Sequence, residues 1–295
     1  MNKVFITGCG GMLGSAVYPF FKEKGYDVLA TDIDLNEDWL EYLDVRDYKQ
    51  AKDITDKFQP DIILHLGALT SLEYCENHLE EAYKTNFTGT KNIAQICREQ
   101  DIPLVYISTA GVFDGKKEVY NEDDTPNPIN VYGKTKLYAE IAVENLLERY
   151  FIVRAGWMVG GGKKDKKFVS YIVSQARAGN RIFNIVDDKF GVPTYTEDFS
   201  KNLNVLINTD FYGLYHMACS GNASRLEIAE HVLNKLGVKG YKINPVSSEF
   251  FKEDFPVQRA TSEIMVNCNL SKRDINHMRD WRICLSEYLE KESQK

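Results

Sequence analysis

The sequence predicts an α/β protein: a doubly wound parallel sheet followed by a smaller, mixed α/β domain. Three observations carry this. Short apolar runs alternate with amphipathic stretches through the first half of the 295 residues, the pattern of strands joined by crossover helices. A glycine-rich turn directly follows the first apolar run. Beyond about residue 155 the alternation loses its regularity.

In chain order, Lys3–Thr7, Tyr26–Thr31, Asp61–Leu66, Leu104–Ser108 and Phe151–Arg154 read as strands. Right-handed crossovers then place helices on both faces of their sheet. Glu81–Gln100 reads as a helix with Ala82, Asn86, Ile93, Ala94 and Cys97 near one side, and Lys134–Glu148 as another. In the second half Phe168–Ala178 reads as a helix, and Ile182–Val186 and Gly213–Met217 as strands. Arg225–Leu236 reads as a helix opening on Ser224, with Glu227 placed for a capping box. Pro19 falls inside the first helix, where a proline costs ~3 kcal/mol, so a kink or an early end is expected. These elements divide the chain into residues 1–155 and residues 156–295, with later segments near 187–217 crossing back to the first unit.

The composition narrows the function. Hydrophobic residues make up 43% of the chain and charged residues 27%, as in ordinary soluble globular proteins. A net charge of −7 argues against nucleic acid or an anionic membrane as the main partner. No apolar stretch approaches the ~20 residues of a membrane span, and the opening MNKVFITGCGG is too short an apolar run for a signal peptide. The six cysteines include no C-x-x-C pair, which argues against a disulfide frame or zinc site and fits a reducing, cytoplasmic compartment. The five histidines show no H-x-x-x-H pair, so no metal is expected.

The glycine-rich turn reads Thr7-Gly8-Cys9-Gly10-Gly11-Met12-Leu13-Gly14. Its glycines at 8, 11 and 14 let the turn tighten and let the backbone approach a pyrophosphate. The next helix then presents its positive end to the anion. Met12 and Leu13 belong to the same cradle. Asp32 closes the second strand near the ~20-residue offset of the acidic group that binds an adenosine ribose. No Arg or Lys follows at once, and Asp34 adds a second carboxylate. A 2′-phosphate would be repelled, so NADH is expected to be preferred, with NADPH as the other candidate. Together these features make the predicted sheet Rossmann-type.

Tyr132-Gly133-Lys134-Thr135-Lys136 is a Y-x-x-x-K on a predicted helix. Residues at i and i+4 share a helix face, so the ammonium can approach the phenol and lower its pKa from the unperturbed ~10. Tyr18/Lys22 and Tyr48/Lys52 share the spacing and read as ordinary helix faces. Tyr132 differs by following Ser108-Thr109, which ends an apolar strand on the ligand-binding side of the sheet. Lys163, Lys164, Lys166 and Lys167 follow three glycines. They read as a solvated loop, with contact to a nucleotide diphosphate as the alternative.

In this order, the glycine turn, Asp32, Asp44-Val45, Ser108-Thr109 and Tyr132-x-x-x-Lys136 resemble the extended short-chain dehydrogenases. The chain most resembles the dTDP-4-dehydrorhamnose reductase family. The matching segments are 60–68, 108–115, 128–136, 153–157, 190–198 and 213–216, so the resemblance spans nearly the whole chain. It implies reduction of a C4 ketone on a nucleotide-linked 4-keto-6-deoxy sugar, with hydride from NADH or NADPH. Tyr132 would protonate the ketone oxygen, Thr109 would hydrogen-bond it, and Lys136 would hold the nicotinamide ribose. Asp44 and Val45 would lie by the adenine, Gly67 and Ala68 by the middle of the cofactor, and Trp157 and Arg259 against the substrate. A homodimer fits the same family. The sequence departs from the rhamnose pattern at Ala110-Gly111, where an aspartate and a tyrosine usually stand. The missing carboxylate argues against the related 4,6-dehydratases, and two small residues leave a wider pocket. A nucleotide-sugar C4 epimerase that retains NAD, or a non-catalytic regulatory relative, are the alternative readings.

Overall fold

Alternate residues along the central strands go to opposite faces, which makes the sheet two-sided. In the computed structural model, which describes residues 2–293, seven strands form one sheet. Their order is Gly213–Met217, Tyr150–Ala155, Leu104–Thr109, Ile62–His65, Lys3–Thr7, Asp27–Asp32 and Glu41–Tyr42. Every neighbouring pair is parallel. Val4, Ile6, Leu64, Val105 and Val153 face one side, where they cluster with Val17, Phe21, Phe199 and Leu203. Phe5, Ile63, Leu104, Tyr106 and Ile152 face the other, against Ile93, Ala94, Cys97, Ala139 and Val143. Each such side chain contributes ~1.5–3 kcal/mol by leaving water.

From Lys3–Thr7 the chain runs outward through Asp27–Asp32 and Glu41–Tyr42. It then returns to place Ile62–His65 on the other side of Lys3–Thr7. This reversal opens a crevice at the carboxyl ends of the two central strands, where open α/β sheets bind ligands. The glycine-rich turn stands on one lip and Gly67-Ala68 on the other.

In the second half the strands Ile182–Val186 and Lys242–Val246 pair in parallel. Beside them the helices Phe168–Arg177 and Arg225–Lys235 bury Ile172, Val173, Val232 and Leu233 in one cluster. The Ser224–Glu227 capping box forms. The final helix, Trp281–Ser293, inserts Trp281, Leu285 and Leu289 into the same cluster. Ile264–Met265 pairs with Val119–Tyr120 and knits the halves together, while Pro193–Tyr195 pairs with Trp157–Val159.

Two local expectations change. The first helix does not end at Pro19; Gly14–Glu23 runs through it. Burial of Val17 and Phe21, both fully covered, is large enough to offset the ~3 kcal/mol of an interior proline. The single helix expected over 81–100 is instead Leu79–Ala82, a π-helical stretch Tyr83–Gly89, and Thr90–Gln100. Within the wide turn Asn86 reaches across to the backbone of Leu69. All six cysteines are free thiols. Among the described residues no helix is long and apolar enough to cross a membrane.

Candidate active site

The glycines of the first turn serve different purposes. Gly8 has φ +69°, and a Cβ there would collide with Gly67, so it lets the two lips of the crevice touch. A Cβ on Gly14 would collide with the Cys9 backbone, so it lets the first helix start close to the strand. A Cβ on Gly11 would meet nothing nearer than the Gly8 carbonyl oxygen at 3.9 Å. Open backbone beside a helix start is a cradle that fits a diphosphate. Met12 forms one wall, with Gly161 of the glycine–lysine loop pressed against it. The Leu13 carbonyl accepts from Val17 and Ala16, and its side chain packs on the core.

Asp32 stands at the mouth of this cradle. One carboxylate oxygen accepts from the Gly10 amide at 2.8 Å and the other from the Asp34 amide at 3.0 Å. Lys164 comes down on the loop that follows Asp32: its Nζ donates to Asn36 Oδ1 at 2.9 Å and pairs with Glu37 at 2.8 Å. Asn36 in turn donates to the Gly10 carbonyl at 3.2 Å. The lysine run is therefore not uniformly solvated, since Lys164 is folded onto the turn while Lys163 and Lys166 are exposed.

Asp44 is clamped by Arg46, whose Nη2 lies 2.7 Å from it. The hydrogen bonds from Arg46 hold its carboxyl below the usual range. The Val45 carbonyl accepts from Asn92 at 3.0 Å, and its side chain fills the space that a Cβ on Gly89 would need. Gly67 and Ala68 follow His65, which is wedged between the hydroxyls of Thr7 at 2.6 Å and Thr90 at 3.0 Å. Burial lowers the His65 pKa to about 3, so this histidine is a neutral structural group.

The reacting group forms where the helix Val131–Leu146 starts. Asn130 caps it by accepting from the Gly133 amide at 2.9 Å. A Cβ on Gly133 would collide with the Gly111 carbonyl. A glycine there lets the helix seat against the end of Leu104–Thr109, and the Tyr132 phenol meets the Thr109 hydroxyl. Thr109 Oγ1 also accepts from the Gly111 amide at 3.1 Å. Burial pushes the Tyr132 pKa up to about 12, against the lowering effect of the Thr109 bond, and the nearby Glu263 carboxylate acts in the same direction as burial.

Lys136 does not lower the phenol as its spacing suggested. Its ammonium donates to the Ile107 carbonyl at 2.7 Å and lies 4.3 Å from the Tyr106 ring centre. Burial lowers it to about 7, with Glu140 opposing the shift. Tyr132 is therefore held as a phenol, the form that gives up a proton.

Of the adjacent hydroxyls, Ser108 turns away. It donates to Glu140, which also holds Arg154 through contacts of 3.0 and 2.6 Å. Glu140 and Arg154 are each 3% exposed. Asn86, which sequence reasoning placed only on a helix face, braces the site. Its amide accepts from the Leu69 amide at 2.7 Å and donates to Thr135 at 3.0 Å. A polar residue on an otherwise apolar helix stripe was the available signal.

On the substrate side the Trp157 indole is fixed three ways. It lies on Gly191, where a Cβ would collide with the ring. The Arg225 guanidinium sits 4.0 Å from a ring centre, and the indole N–H donates to Glu263. Arg225 and Glu263 escaped the sequence reading, because neither lies in a local pattern that points to Trp157. Arg259 is turned to Glu73 and to the Val257 carbonyl, so the structure does not join it to the Thr109–Tyr132–Lys136 group.

Comparison with known proteins follows this geometry. A model of the RmlD substrate binding domain family matches residues 1–294. The spore coat polysaccharide biosynthesis protein SpsK of Bacillus subtilis is 29% identical over 294 residues, covering 99% of both chains. A dTDP-4-dehydrorhamnose reductase of Mycolicibacterium smegmatis is 29% identical, over 97% of this chain and 84% of that one. The crystal structure of the dTDP-4-dehydrorhamnose reductase of Bacillus anthracis, in complex with NADP, superposes with a TM-score of 0.90 at 30% identity. It covers 99% of this chain and 100% of the other. The chain thus belongs to the RmlD substrate binding domain family, the dTDP-4-dehydrorhamnose reductase group of the extended short-chain dehydrogenases.

Proposed function

We propose that this protein reduces the 4-keto group of a nucleotide-linked 4-keto-6-deoxy sugar. The observation that carries the reading is the hydrogen-bonded Thr109–Tyr132 pair, with the Tyr132 proton retained on the phenol. Two hydroxyls at one point can both reach a ketone oxygen. Thr109 orients that oxygen, and Tyr132 donates its proton as the carbon is reduced. Lys136 holds the ribose next to the nicotinamide. A bound nicotinamide cofactor supplies the hydride.

The same reading assigns the rest of the site. Gly8, Gly11, Met12, Leu13 and Gly14 hold the diphosphate, with Gly67 and Ala68 opposite, while Asp32, Asp44 and Val45 serve the adenosine end. Trp157 lines the substrate side. Arg259 serves there by exchanging Glu73 for an anionic group. NADH is preferred because Asp32 faces the ribose end, and NADPH is accepted because Lys164 sits beside the same turn. Residues 1–155 form the dinucleotide-binding unit, joined by segments near 187–217, and residues 156–295 are mainly the substrate-binding unit. The strand Gly213–Met217 at the sheet edge supports that crossing. Six free thiols support a cytoplasmic setting. The homodimer rests on the family resemblance and is read by light scattering.

Mixing the protein with NADH or NADPH and dTDP-4-keto-6-deoxyglucose should give repeated turnover, seen as loss of absorbance at 340 nm. Tyr132→Phe should cut that turnover about 10²-fold or more while cofactor affinity changes little. NAD carried through purification without turnover would instead point to an epimerase.

A further inference from the structure

We propose that Glu263 is a specificity-determining residue of this site. In this role it accepts a hydrogen bond from the free hydroxyl on the sugar carbon beside the ketone. The inference rests on the reductase reading above and extends it to the substrate's C3 hydroxyl.

Glu263 approaches from the far end of the chain. The segment that carries it is pinned to the core: the Glu263 amide donates to the Phe190 carbonyl at 2.8 Å, and Phe190 bridges Ser262. Gly115, at φ +76°, packs so closely on Ala260 and the Thr261 amide that a Cβ would press on both. The carboxylate is therefore placed by its backbone. One of its oxygens, Oε2, takes the Trp157 N–H. The other, Oε1, lies 3.6 Å from the place a Cβ on Gly111 would occupy. That same place is 3.4 Å from Thr109 Oγ1.

Ala110-Gly111 leaves that place without a side chain. A carboxylate oxygen fills one side of the opening and the Thr109 hydroxyl the other. A sugar whose ketone oxygen sits on Thr109 and Tyr132 has one neighbouring carbon that bears a hydroxyl, since the other ring neighbour carries the methyl group. A carboxylate is an acceptor only, and so selects a donor such as that hydroxyl. Arg225, over the Trp157 ring, places a positive charge nearby, and the Glu263 carboxylate influences both Arg225 and Tyr132.

The test compares two substrates on three proteins. Wild type, Glu263→Ala and Glu263→Gln are assayed at 340 nm with dTDP-4-keto-6-deoxyglucose and with its 3-deoxy analogue. Wild type should favour the hydroxyl-bearing sugar by about 10- to 100-fold in kcat/KM, the value of a hydrogen bond to a charged acceptor. Glu263→Ala should reduce that preference to within about threefold, because activity falls about tenfold or more further on the hydroxyl-bearing sugar than on the analogue. Glu263→Gln should fall between. Equal losses on both sugars would mean that Glu263 merely supports Trp157, and would overturn the proposal, as would a preference that Glu263→Ala leaves intact. If Glu263→Ala does not fold, Glu263→Gln decides by the same ratio. Absence of wild-type turnover on both sugars would overturn the reductase reading, and the role of Glu263 with it.

Discussion

Lys136 gives its ammonium to the Ile107 carbonyl, 2.7 Å away, within the same strand that ends in Thr109. The side chain is 3% exposed and its pKa falls to about 7 because burial disfavours the charge. An unfolded lysine titrates near ~10.4. Between those two values the unfolded chain binds more protons than the folded one, so this group makes stability rise with pH. Below about pH 7 the folded protein carries the full cost of the buried charge.

Lys136→Met removes that cost. Its melting temperature relative to wild type should be higher at pH 6 than at pH 9, by at least the ~2–4 °C that 1 kcal/mol produces in a domain of 150–250 residues. Differential scanning fluorimetry of the free protein measures it. A difference that is the same at both pH values, or larger at pH 9, would show that the ammonium is not desolvated.

Glu140 and Arg154 form a buried ion pair that also secures Ser108. Removing one partner of such a pair typically costs ~3–5 kcal/mol, because the other charge is left buried and alone. Among the described residues Arg154 Nη1 already lacks a hydrogen-bond partner. Glu140→Ala should therefore lose about that amount in urea denaturation. The double variant Glu140→Ala/Arg154→Met should recover part of it. A loss below ~1 kcal/mol in the single variant would contradict the pairing.

Lys164 sits between Asn36 and Glu37, beside the turn that presents Asp32. On the proposed reading, a cation there would offset the repulsion between Asp32 and a 2′-phosphate. Lys164→Ala should raise the KM for NADPH about tenfold and that for NADH much less; a tenfold change is ~1.4 kcal/mol, within the range of one charge-assisted hydrogen bond. Equal changes for the two cofactors would show that Lys164 only braces the loop.

The architecture was legible because it depends on local pattern. The run Lys3–Thr7 forms a strand with the bounds its sequence suggested, as do Ile182–Val186 and Gly213–Met217. Ser224 and Glu227, three residues apart, specify their cap without help from elsewhere. Such features are set by period and by side-chain reach, both of which are written in consecutive residues. Where a competing tertiary interaction existed, as at Pro19 and Asn86, the local rule yielded to it.

The sequence by itself determined the parallel sheet, the glycine turn on its central strand, and a tyrosine and lysine one helical turn apart. Only the tertiary structure decided that Ser108 serves Glu140 while Thr109 meets Tyr132, and that Lys136 turns to Ile107 rather than to the phenol. It alone brought Trp157, Arg225 and Glu263 together, and folded Lys164 over the Asp32 turn. The reason is physical: periodicity encodes which face is buried, but a charge chooses its partner by distance through space, and those distances exist only once the chain has closed.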